Sequence, residues 1–196
     1  MEITIMTIKR ALLLLVLCGA FSFSVSTSTA AEISGVKLPD QVTVAGKSLK
    51  LNGAGLRQAT ILKVNVYAAG LYLEKPSGDA EAIANSDQTK SIEMVFMRDV
   101  TGKQMAEAFQ EGMDKNCTAG CAELKPFISK LQGMTKDMKK GETMAVHFLP
   151  DGVDVLVRGQ KVSSVGDKNF SHQLIRCWIG KNPPNAGLKS GLLGGK

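Results

Sequence analysis

"LNGAGLRQATILKVNVYAAGLYLE", residues 51–74, decides how this chain is read. From about residue 60 to Glu74 it reads as one long, mostly apolar strand. Leu62, Val64, Val66 and Ala68 fall on one side, and Lys63, Asn65 and Tyr67 on the other. Ahead of the strand, Gly53 and Gly55 predict a tight turn, and Arg57 sits between turn and strand. Charged side chains are rarely buried unless paired. Arg57 therefore points to water, pairs with an acid of the chain such as Glu74 or Asp99, or meets an anion from outside. Spacing alone leaves the internal pair and the external anion level.

Outward from this stretch the strands continue. "VTVAGKSLKLN" (42–52) alternates around Gly46-Lys47 as a hairpin does. "SIEMVFMR" (91–98) places Ile92, Met94 and Phe96 on one side, and "TMAVHFL" (143–149) and "VDVLVR" (153–158) alternate likewise, with a turn at Gly159-Gln160. Helical patterns interrupt them. "DAEAIAN" (79–85) is a short helix. Thr101 with Gln104 forms a capping box, and the helix behind it repeats Met105, Phe109 and Met113 as a core stripe, with Gly112 alongside. A second helix is expected over 122–139, with Leu124, Phe127, Ile128, Leu131 and Met138 apolar and Pro126 in its first turn. Asp167 caps a last one, whose stripe is Phe170, Leu174, Cys177 and Trp178; Gly180 and Pro183-Pro184 end it. "GLLGGK" reads as a frayed terminus. Hairpins dominate and no βαβ alternation appears. The fold class is α+β, an antiparallel sheet with helices packed on one face and the other face free for a cleft.

Residues 1–31 have the pattern of an export signal. Lys9 and Arg10 precede the apolar run "ALLLLVLCGAFSFSV", and small residues surround a cleavage point after Ala30 or Ala31. Met6 is an alternative start. The apolar run is short for a membrane span, and Leu17 stands where an acylated Cys18 would require a small residue. The expectation is a periplasmic or secreted protein, without a stable membrane anchor, whose single domain is residues 32–196. The chain carries a net charge of +6, spread along its length apart from "KDMKKG" at 136–141. That cluster reads as a solvated helix end. Few aromatics interleave with the lysines, so no nucleic-acid partner is indicated. In an oxidising compartment "NCTAGC" favours a Cys117–Cys121 disulfide. The Cys-x-x-x-Cys spacing, with no histidine nearby, argues against zinc, and Cys177 reads as a buried free thiol.

The search for a nucleophile with its base finds nothing. His147 alternates with apolar neighbours on a strand and is expected to face solvent; His172 lies beside Phe170 on the last helix. Neither belongs to a triad or metal motif, and no phosphate-binding loop or dinucleotide fingerprint occurs. No cofactor is implied. What remains is Arg57 with Tyr67, beside Asn65 and Lys63. A guanidinium, a phenol and an amide converging on one cleft suit a carboxylate or a phenolate.

"LPDQVTVAGKSLKLNGAGLRQATILKVNVYAAGLYLE" (38–74) resembles the N-terminal half of the chalcone isomerase family. The likeness continues in "FMRDVTGKQMAEAFQEGMDKNC" (96–117) and "HQLIRCWIGKNPPNAGLKSGLL" (172–193), in order over nearly all of the mature chain. The resemblance implies a sheet with helices layered on one side and a ligand cleft on the other. It also implies roles. In the plant isomerases the arginine matching Arg57 steers a phenolate toward an enone; in the fatty-acid-binding members that arginine and a tyrosine, matched by Tyr67, hold a carboxylate. Asn116 matches an asparagine lining the isomerase cleft. Three positions depart from the isomerase pattern: Tyr67 replaces a threonine, Phe109 an active-site tyrosine, and Cys177 a threonine or serine. The donors that tune chalcone cyclisation are thus lost while the anion-holding arginine is kept.

The preferred expectation is a non-catalytic protein that binds a small apolar ligand with an acidic head, such as a fatty acid. Arg57, Tyr67 and Asn116 would contact the head, and Phe109 and Trp178 would line the cleft or serve as core. One alternative is an intramolecular lyase or isomerase acting on a phenolic or enone substrate through Arg57 and Tyr67. The other is an interaction module with no small ligand, Arg57 being paired internally.

Overall fold

The structure is a computed structural model and describes residues 31–59 and 62–195. The export signal expected over residues 1–31 therefore lies, apart from Ala31, outside the described residues. A small hairpin, β1 (Ala31–Ile33) and β2 (Val36–Leu38), precedes a seven-stranded antiparallel sheet. The sheet comprises β3 (Gln41–Val44), β4 (Lys47–Ala59), β5 (Val64–Leu73), β6 (Lys90–Phe96), β7 (Thr143–Leu149), β8 (Gly152–Val157) and β9 (Gln160–Val165). Its spatial order is the chain order, so the whole sheet is a meander. Helix α1 (Ala80–Asn85) joins β5 to β6, and α2 (Gly102–Asn116) and α3 (Lys125–Gln132) join β6 to β7. Helices α4 (Lys168–Leu174), α5 (Arg176–Ile179) and α6 (Ala186–Leu192) follow β9. This is the α+β architecture that the alternation of patterns predicts.

Side-chain alternation decides which face the helices cover. Leu71, Ile92, Val146 and Val155 are cross-strand neighbours, and all are buried. Met105, Phe109 and Met113 of α2, Phe170 and Leu174 of α4, and Trp178 and Ile179 of α5 close over this face. The opposite face carries the row Ser91, His147, Asp154 and Ser164. His147 is there as expected, but Glu93 lies 3.4 Å away and its side chain is only 15% exposed. At one end of this face Val44, Leu49 and Tyr72 form a small second core.

Local signals account for most boundaries. Asp79 accepts from the backbone of Glu81 and Ala82, Thr101 and Gln104 form the full capping box, and Asp167 accepts from Phe170. The two-residue hairpin loops are Ala45-Gly46 and Arg158-Gly159, one residue earlier than expected, and both residues of each have positive φ, as that turn requires. The second helix ends at Gln132 rather than 139. Met138 is instead pinned to Val100 by a pair of backbone hydrogen bonds.

Two corrections concern the opening stretch. Gly53 and Gly55 are not in a turn; β4 runs straight through them to Ala59. They are glycines because α6 lies on them. A Cβ on Gly55 would fall 2.6 Å from the Leu188 carbonyl oxygen, and one on Gly53 would fall 2.1 Å from that of Gly191. The C-terminal segment is accordingly not frayed: Leu188 and Leu192 are fully buried, and Asn52 and Asn185 hydrogen-bond α6 to the strand region. The other correction is that β5 begins at Val64, leaving Leu62 in the preceding turn, 85% exposed. The Tyr67 side of β5, which continues as Ala69, Leu71 and Leu73, is the one packed into the main core.

Candidate functional site

Arg57 and Tyr67 are direct cross-strand partners on β4 and β5, and Phe96 of β6 follows Tyr67 in the same row. Immediately after this pair the register shifts, so that Gln58 faces Asn65. The shift leaves Val66 as an extra residue, a bulge of the kind that re-aims side chains beside sites. Val66 and Tyr67 both reach the wall of one cavity of about 370 Å³, within the range of small-ligand sites. Met94, Phe96 and Met144 form its sheet side; Met105, Phe109 and Trp178 form its helix side. Pro183 and Pro184 also line it. The cavity thus lies between the sheet and the helices. The expectation of a cleft on the uncovered face is corrected: the covering helices leave space above this end of the sheet.

Arg57 has no acidic partner among the described residues. Both candidates are engaged elsewhere. Glu74 accepts from Lys47 at 2.8 Å and from the Thr89 amide, while Asp99 accepts from Lys139 and the Lys140 amide, each at 3.0 Å. Arg57 donates through Nη1 alone, to the carbonyls of Gln58 and Pro184. Nε and Nη2 make no hydrogen bond among the described residues, which leaves three N–H donors of the guanidinium fork for an incoming group.

Tyr67 is oriented from the other side. Its hydroxyl oxygen lies 3.1 Å from Trp178 Nε1. Indole nitrogen only donates, so Tyr67 is the acceptor and its own proton remains free to be donated. Trp178 is in turn held edge-on between Phe109 and Phe148, with ring centroids 6.0 and 6.1 Å away. Burial pushes the Tyr67 phenol up to about 12, against the smaller opposing effects of the Trp178 hydrogen bond and the Arg57 charge. At neutral pH Tyr67 is therefore a neutral donor next to a fixed cation.

The three positions that depart from the isomerase pattern, Tyr67, Phe109 and Cys177, all line this cavity. Cys177 is a free thiol, buried, and burial raises it to about 12. Its sulfur would lie only 2.8 Å from a Cβ on Gly112, so α2 approaches α5 closely at that point. Phe109 and Trp178 serve both as core and as cavity wall.

Asn116 does not join the other predicted residues. Its amide donates to the carbonyls of Gly112 and Asn182 and accepts from the Asn182 amide, which consumes both ends in holding the 180–184 loop. It is absent from the cavity lining. Cys117 and Cys121 are bridged beyond it. His147 and His172 lie away from the cavity, beside Glu93 and Asp87 respectively. The sequence reading missed Met94 and Phe96 as cavity wall, along with Arg98 beyond them. Their alternation in "SIEMVFMR" identified a buried face, but not that part of the face borders a space.

Residues 30–194 match the chalcone isomerase-like family, and the chain belongs to it. Among solved structures it is similar to a fatty-acid binding protein of Arabidopsis thaliana, with 16% sequence identity and a TM-score of 0.68. That likeness covers 84% of this chain and 94% of the plant protein, and it shows the fold. No curated protein matches the chain.

Proposed function

We propose that the protein is an exported, non-catalytic carrier of an apolar molecule with an acidic head, such as a fatty acid. The carrying observation is Arg57, without an ion-paired acid among the described residues, beside the free Tyr67 proton at a cavity walled in part by Met94, Phe96 and Phe109. Arg57 receives one carboxylate oxygen through its free donors, and Tyr67 donates to the head from the adjacent strand. The chain of the ligand lies along Met94, Phe96 and Phe109. The fatty-acid binding function of the plant structure supports this reading, as does export implied by residues 1–31.

An intramolecular lyase is disfavoured by the same geometry. A phenol raised to about 12 is a poor general base near neutrality, and the other two altered positions present a phenyl ring and a raised thiol. A purely protein-binding module is disfavoured by the open space beside Arg57. Native mass spectrometry of gently purified protein tests the proposal. Wild type should carry an acidic lipid, and Arg57→Ala should be empty. Wild type that is empty and takes up no added fatty acid would overturn it.

A further inference from the structure

The charges around the cavity do not balance. Its charged lining residues are Arg57, Arg98, Lys115, Glu107 and Glu111. Glu111 is paired within α2 with Lys115 at 2.5 Å and feels the Arg57 charge only at longer range, and Glu107 faces Lys103 at 3.9 Å. Arg57 and Arg98 remain. Arg98 is exposed and makes no hydrogen bond or ion pair among the described residues. The acid next to it in sequence, Asp99, is taken by Lys139 and the Lys140 amide. Arg98 lies two residues beyond Phe96, in the bend that follows the end of β6, and lines the same cavity as Arg57. The two guanidinium groups thus reach one cavity from different elements, β4 and the bend after β6.

Resting on the carrier reading above, we propose that the preferred ligand has a doubly negative head, of the alkyl phosphate monoester type, shared between Arg57 and Arg98. A single carboxylate neutralises one of the two arginines and leaves the other uncompensated. A phosphate monoester dianion offers three terminal oxygens and two charges, and suits guanidinium groups arriving from two directions. Tyr67 donates to the same head. Arg98 is the residue that distinguishes dianion from monoanion; Arg57 is needed for both.

The test is titration of dodecyl phosphate, dodecyl sulfate and dodecanoate into wild type, Arg98→Gln and Arg57→Gln at pH 8. In wild type the phosphate should bind at least about tenfold tighter than either monoanion. Dodecyl sulfate has the same tetrahedral shape, so this comparison isolates charge. The preference over dodecyl sulfate should vanish at pH 5, where the phosphate has become a monoanion (pKa about 6). Arg98→Gln should abolish it at pH 8, weakening dodecyl phosphate at least about tenfold more than it weakens dodecanoate, and Arg57→Gln should weaken all three. Equal affinities in wild type, or a preference that survives Arg98→Gln, overturn the dianion inference alone. Failure of all three probes to bind wild type overturns the carrier reading together with it.

Discussion

In the proposed carrier, Arg57 and Tyr67 share one task by different chemistry. The arginine supplies charge and three free N–H donors; the tyrosine supplies a proton left free because its oxygen accepts from Trp178. Tyr67→Phe should therefore weaken dodecanoate binding roughly ten- to a hundredfold, the worth of one hydrogen bond to a charged group. The same change leaves Trp178 Nε1 without its acceptor and should lower stability by about 1–2 kcal/mol; titration and urea unfolding of the one variant read the two effects separately. Arg57 and Tyr67 were legible in the sequence because the family pattern marks them; spacing alone left an internal pair of Arg57 with Glu74 or Asp99 equally open. Asn116 was legible only as a family position. Its amide is consumed by Asn182, 66 residues away, and no local pattern announces a partner at that range.

At the scale of elements, the β4–α6 contact shows how a correct observation led to a wrong structure. Glycine permits both a turn and a close backbone approach, and the sequence around Gly53 and Gly55 does not say which. The reason lies in α6, whose Gly191 is equally constrained: a Cβ there would fall 2.2 Å from the Ala54 carbonyl oxygen. Gly55→Ala should push α6 off the strand and lower stability by about 2–3 kcal/mol, measured by urea unfolding. The strand and helix periods themselves were readable wherever a cap or hairpin bounded them, as at Asp79, Thr101 and Asp167. The Cys117–Cys121 bridge closes a small loop just after α2. Replacing both cysteines by serine should cost at most about 2 kcal/mol, the chain-entropy value for so short a loop. Fatty-acid affinity should stay unchanged, because neither cysteine lines the main cavity.

For the whole molecule, the titrating groups define a pH profile. Glu74, Asp87, Asp99 and Glu142 are held below the usual carboxylate range, chiefly by hydrogen bonds from Lys47, Lys168, the Lys140 amide and Arg158 respectively. Stability should fall as pH drops below the ordinary carboxylate range, where the unfolded chain takes up protons first. Lys90 works in the opposite sense. It is buried on the core side of β6, donates to the Ser86 carbonyl, and is lowered from 10.5 to about 8 by burial. Between about pH 8 and 10.5 the unfolded chain holds the extra proton, so this group makes stability rise with pH. Above pH 10 the raised phenols reverse the trend. Tyr67, at about 12, and Tyr72, raised chiefly by burial, keep their protons in the fold after the unfolded chain has released them. Lys90→Met should remove the rise between pH 8 and 10, as read by urea midpoints across that interval.

The sheet, the covering helices and the cavity between them serve one central claim: Arg57 holds an acidic head at the mouth of an apolar space. Calorimetric titration of dodecanoate at pH 8 into wild type and Arg57→Gln tests it most directly, with circular dichroism as the check on folding. One-to-one binding by wild type, weakened roughly 10- to 100-fold in the variant, is the predicted result for a charge-assisted contact. Equal affinity in two equally folded proteins would contradict the claim.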